Sequence, residues 1–256
     1  MLAVSWHKAL LLFLWITPHA LLGVVAAIIY KRRLYSEFPC FLAYVLCEIA
    51  GFGVLFALYS IMGATSTQYA YAFSATLLFS IALRFGVISE VSKDLFREFQ
   101  FLKLAAWRLL QYLTGLLLAV SVLLAIYAPG DNSVRWHTGI SVVDRGASMV
   151  QCGMLLCFLL FSHFMGLSWR RAALGIALGL GILVSVDLAM FALRGEFSSK
   201  TAKEVLNLVR TGTYFACVSI WIGYLLAPEL EPASPTAVSR DEVETWNTEL
   251  QRLLRR

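Results

Sequence analysis

Seven stretches of mostly apolar residues succeed one another along the chain, divided by short polar breaks. They run over about 9–30, 39–60, 69–91, 105–128, 140–166, 172–193 and 205–226, and each reaches the roughly 20 residues an α-helix needs to cross the bilayer core. Lipid offers no partner to an open backbone N–H or C=O, so spanning segments are helices or closed barrels. A barrel needs short strands of alternating polarity, and the pattern has none. The prediction is an all-α membrane protein, a seven-transmembrane-helix bundle occupying residues 1–227. The first stretch passes directly into Lys31, Arg32 and Arg33 with no small-x-small cleavage signal. It therefore reads as a retained helix rather than a signal peptide.

The polar breaks orient the bundle. One alternate set carries Lys31, Arg32, Arg33, Lys93, Arg97, Lys103, Arg108, Arg170 and Arg171; the other carries Lys8, Arg135, Lys200 and Lys203. Basic residues of short loops stay in the cytoplasm, which predicts an outside N-terminus and a cytoplasmic C-terminus. Residues 92–104 alternate charge with Leu95, Phe96, Phe99 and Leu102, as a short interfacial helix would. Residues 228–239 form a Pro-rich acidic linker. Beyond it, 240–256 sets Val243, Trp246, Leu250, Leu253 and Leu254 at helical spacing. That is the pattern of an amphipathic tail helix for a membrane surface or a cytoplasmic protein partner; a solvated, half-ordered tail fits the same residues.

Composition narrows the function classes. The chain of 256 residues is 59% hydrophobic and 14% charged, against about 25% charged in ordinary soluble domains. The net charge of +5 belongs with basic cytoplasmic loops and the lipid bilayer, not with nucleic acid. Cys40, Cys47, Cys152, Cys157 and Cys217 all fall in apolar stretches, so no extracellular disulfide framework is implied. Gly175 and Gly179 make a small-xxx-small pair that admits a close neighbouring helix. The tryptophans, Trp221 among them, read as interfacial aromatic belts.

Charges inside the apolar stretches are the main hint of chemistry, because an ionisable side chain at mid-bilayer costs several kcal/mol unless paired or hydrated. They sort into two depths. His19 and Glu48 lie near the midplane, and Arg84 is placed to reach toward Glu48, which predicts a His19–Glu48–Arg84 network between the first three helices. Nearer the outer surface, Asp144, Arg145, Asp187 and Arg210 share a similar depth, with Gln151 and Tyr214 beneath them. That set predicts an outward-facing polar pocket for a small polar or anionic ligand, since guanidinium forks suit carboxylate or phosphate. Either set also serves as an interhelical clasp. Glu90, beside Ser92, Lys93 and Asp94, reads as part of an interfacial charge belt.

Several classes are disfavoured. No lysine stands mid-membrane for a retinal Schiff base. His19 and His163 differ in depth by roughly 16 Å at 1.5 Å per residue, too far for a bis-histidine haem. No metal-ligand spacing, and hence no metal or other cofactor, is indicated. Gly146-Ala147-Ser148 lacks the second glycine of a rhomboid-like serine motif, and Asp144 and Asp187 lack the flanking signatures of intramembrane aspartyl proteases.

The stretches RFGVISEVSKDLFREF (84–99), LSWRRAALGIALGLGI (167–182) and WNTELQRLL (246–254) resemble uncharacterised bacterial seven-helix integral membrane proteins. The resemblance implies a multi-pass protein of a bacterial inner (plasma) membrane and brings no activity. Taken together, the sequence points to a non-enzymatic sensor or interaction module with a polar pocket. A small transporter or channel using His19, Glu48 and Arg84, and a structural subunit of a membrane complex, are the alternatives.

Overall fold

Pro39 opens a helix that Gly63 closes. Its φ of 78° is open to glycine at little cost, and its N–H bonds back to the Tyr59 carbonyl at 3.1 Å. Ser66 starts the next helix, its Oγ accepting from the Tyr69 N–H at 3.2 Å. The computed structural model describes residues 2–63, 66–96, 132–165, 169–196 and 200–228, with isolated positions between 108 and 119. In these residues the elements are α1 (Leu2–Lys31), a 3-10 turn (Leu34–Ser36), α2 (Pro39–Met62), α3 (Thr67–Leu95), α4 (Asn132–Met165), α5 (Arg171–Glu196) and α6 (Lys200–Leu226). No strand occurs among them. Apart from those isolated positions, the stretch predicted to span at 105–128 lies outside the described residues, as does the tail helix at 240–256. Where an interfacial helix was expected from residue 92, α3 continues to Leu95.

The chain is an all-α membrane protein. Among the described residues five helical stretches are long and apolar enough to cross a bilayer: Pro39–Met62, Thr67–Leu95, Val142–Phe164, Arg171–Leu193 and Glu204–Leu226. Helix α1 adds a shorter apolar stretch, Ile16–Lys31. Large apolar side chains such as Phe79, Ile61 and Phe164 point outward. That suits a solvent of acyl chains rather than water.

The helices close into a ring in which each packs on its sequence neighbour, α6 returns to α1, and α3 also touches α5. Leu22, Val25 and Ile29 bury one stripe of α1. From Ser80 onward α3 is buried on nearly every side, because α2, α4 and α5 surround it. The closest approach joins α5 to α6. A Cβ built on Gly175 would collide with Tyr224, and one on Gly179 with the Trp221 indole. The small-xxx-small pair thus seats a helix of the same chain. Trp221 is wholly buried there rather than lying in a belt, its Nε1 donating to the Ile176 carbonyl at 3.4 Å.

Directions follow from the contacts. Gln151 of α4 donates to the Ile81 carbonyl of α3, and Phe96 meets the rings of Phe158 and Phe161, so α3 and α4 run parallel. One face of the bundle therefore gathers the ends of α1, α3, α4 and α6 with the starts of α2 and α5. It is held by charge. Glu90, expected in a surface belt, is buried and caps α2: its carboxylate accepts from the Cys40 N–H at 2.5 Å and the Phe41 N–H at 3.1 Å. Phe38, the residue before Pro39, has no side chain able to do this. Arg170 bridges Glu37 at 2.8 Å and Asp94 at 3.5 Å. At the end of α6, Arg32 donates to the Leu226 and Ala227 carbonyls and Arg171 to that of Pro228. We call this the basic face.

Candidate functional site: a polar cavity between the helices

The two predicted charge clusters meet. A cavity of about 280 Å³ is lined by His19 of α1, Glu48 of α2, Arg84 of α3, Asp187 of α5, and Arg210 and Tyr214 of α6. Asn207, Thr211 and Thr213 complete its polar wall, with Pro18, Leu183 and Val186 as the apolar part. Asp144 and Arg145 of α4 line an adjoining space of about 50 Å³, which shares Asp187 and Arg210. All seven predicted site residues thus face one of two connected spaces.

Their pairing differs from the expected network. Glu48 and Arg84 do not form an ion pair with each other. The Arg84 guanidinium faces the Asp187 carboxylate at 3.8 Å, and Asp187 accepts a hydrogen bond from Arg210 Nε at 2.9 Å. The first contact is too long for a charge-assisted hydrogen bond and the second has the length of one. Helix packing explains the change of partner: α3 touches α5 as well as α2, which brings Arg84 to Asp187.

Glu48 is held by α3 in another way, its Oε1 accepting from the Ser80 hydroxyl at 2.5 Å. Ser80 was missed by the sequence reading, although it precedes Arg84 by one helical turn on the same face. His19 stacks on Phe52 at 4.0 Å between ring centroids and lies 5.7 Å from the Tyr214 ring. Arg145 sits over the Phe191 ring at 3.3 Å, a cation–π contact. Gln151, expected beneath the pocket, is fully buried at the α3–α4 contact instead.

The wall keeps some hydrogen-bonding capacity unspent. Arg84 is 8% exposed, yet among the described residues no group accepts from its Nε, and the buried Tyr214 hydroxyl has no hydrogen-bond partner among them either. Buried polar groups of native proteins nearly always find partners, so each exception calls for an explanation. Toward the basic face lies a buried aromatic layer, in which Phe41 and Tyr44 meet Trp221 edge to face at 5.3 and 6.2 Å. A second hollow of about 310 Å³, on the basic face itself, is lined by Glu37, Glu90, Lys93, Asp94 and Arg170.

Among the described residues no three metal-ligating side chains converge, and their cysteines are free thiols. No protein-family model, curated protein or solved structure matches the chain.

Proposed function

We propose that this chain is a non-enzymatic membrane sensor or interaction module that binds a small polar solute in the cavity between α1, α2, α3, α5 and α6. The observation that carries the reading is the convergence of Glu48, Arg84, Asp187 and Arg210, from four helices, on one space large enough for a ligand. A clasp fixing helix register needs a single satisfied pair. Here Glu48 and Arg210 line a hollow with one hydrogen bond each among the described residues, and that spare capacity fits a recognition site. The buried aromatic layer favours a site with one mouth over an open pore. Thermal unfolding of the purified protein across a panel of polar solutes tests the reading. At least one solute should raise the midpoint, and Arg210→Ala should remove that rise. A midpoint unmoved by every solute would sink it.

A transporter is the second reading, and Glu48 supports it: a carboxylate lining the cavity is held by one neutral hydroxyl. This reading predicts pH-dependent solute flux into liposomes that Glu48→Gln abolishes. Flux that survives the change removes Glu48 from the mechanism.

The seven-span arrangement is part of the proposal. Parallel neighbours α3 and α4 support a crossing by the chain between them, with 105–128 as the spanning segment. The collection of Lys31, Arg32, Arg33, Lys93, Arg170 and Arg171 at one end supports a cytoplasmic basic face, an outside N-terminus and a mouth opening outward. Residues 240–256 would then meet a cytoplasmic partner. The resemblance noted above supports a bacterial inner membrane as the setting.

A further inference from the structure

The charges of the cavity wall balance, Glu48 and Asp187 against Arg84 and Arg210. A ligand carrying one net charge would upset that balance in a medium of low dielectric, where an uncompensated charge is most costly. The balance is nevertheless uneven in space. Asp187 already has both guanidiniums, Arg210 at 2.9 Å and Arg84 at 3.8 Å. Glu48 forms no ion pair within 4 Å among the described residues: its charge acts on Arg84 from farther off, and its one hydrogen-bond partner is the Ser80 hydroxyl, on one of its two oxygens. On the other side, Arg210 lines the cavity about half exposed and, among the described residues, spends only its Nε–H, on Asp187. One region of the wall therefore has room for a cation, and another for an acceptor.

Resting on the ligand-binding reading above, we propose that the cavity recognises a zwitterion of amino-acid type. Its ammonium group sits on Glu48, and its carboxylate takes hydrogen bonds from the terminal N–H groups of Arg210. Size agrees: about 280 Å³ lies at the lower edge of the roughly 300–1,000 Å³ of ligand pockets, which suits a metabolite rather than a peptide or lipid. The electron-rich face of Tyr214 and the stacked His19–Phe52 pair give the ammonium end an aromatic surround.

The test is equilibrium binding to the full chain in lipid nanodiscs with three sets of probes sharing one carbon skeleton. These are α-, β- and γ-amino acids, the corresponding carboxylic acids without the amine, and the corresponding amides without the carboxylate. The zwitterions should bind about tenfold or more tightly than either single-charge analogue, the size expected for one lost charge-assisted hydrogen bond. Glu48→Gln should erase the preference for zwitterion over acid while leaving acid binding in place. Acids binding as well as zwitterions would make the cavity an anion site, and amides binding as well would make it a cation site. Either outcome overturns the zwitterion while leaving a ligand site standing. Binding of no probe and of no other polar solute overturns both. The ligand comparison on the unaltered protein decides the class even where Glu48→Gln fails to fold.

Discussion

The Arg84 guanidinium faces the Asp187 carboxylate across 3.8 Å, joining α3 to α5 through the middle of the helix ring. Asp187 also holds Arg210, so one carboxylate serves cations from two helices. Asp187→Asn takes from buried Arg84 the carboxylate it faces and leaves Glu48 and Asp144 to act on it from farther off, and the expected loss is about 3 kcal/mol of stability. Arg210 is about half exposed, so Arg210→Ala should cost no more than about 1 kcal/mol. Arg84→Met combined with Asp187→Leu should recover much of the first loss, because a buried pair replaced by apolar groups is often neutral. Thermal unfolding in detergent orders the three. A double variant as unstable as Asp187→Asn would contradict the argument.

Glu90 offers a separate test. Its carboxylate serves two N–H groups at the start of α2, a position where a negative charge is favoured by the helix dipole. Glu90→Gln keeps the shape, loses the charge and presents an amide where two acceptors are needed. The expected cost is about 1–2 kcal/mol, read as a lower unfolding midpoint and faster hydrogen exchange at Cys40 and Phe41. Unchanged exchange there would show that α2 does not depend on this cap.

Gly175→Ala and Gly179→Ala should each cost about 1–3 kcal/mol by overpacking the α5–α6 contact. Gly23→Ala should be close to neutral, because a Cβ there meets nothing within 4 Å. Equal effects at all three positions would mean that the helix contact is looser than described.

The topology has a direct readout. Side-specific reporters fused after Glu98 and after Gly130 should report opposite faces of the membrane if the segment between them spans. Matching faces would remove the seventh span and, with it, the assignment of the two termini to opposite sides.

Much of this architecture was legible beforehand. The apolar stretches located the described helices to within a few residues at most ends, because lipid-facing and core-facing positions are both apolar and the signal is continuous. Each of His19, Glu48, Arg84, Asp144, Arg145, Asp187 and Arg210 stood out as a charge or histidine in an apolar run. Partner choice was not legible. Arg84 meets Asp187 through the contact of α3 with α5, which no local spacing encodes. Glu90 was misread for a related reason. The missing cap of α2 is visible in Phe38-Pro39, whereas the distant residue that supplies it is fixed by tertiary packing alone.

The grip of Arg32 and Arg171 on the last carbonyls of α6 has a mechanical consequence. Arg32 directly follows α1 and Arg171 opens α5, the helices on either side, and the two hold Leu226, Ala227 and Pro228 at the basic face. Gly175 and Gly179 lock the adjoining turns of α6 in place. The opposite half of α6 carries Arg210 and Tyr214 to the cavity, so a ligand that pulls on either side chain pulls on a helix tethered at its far end.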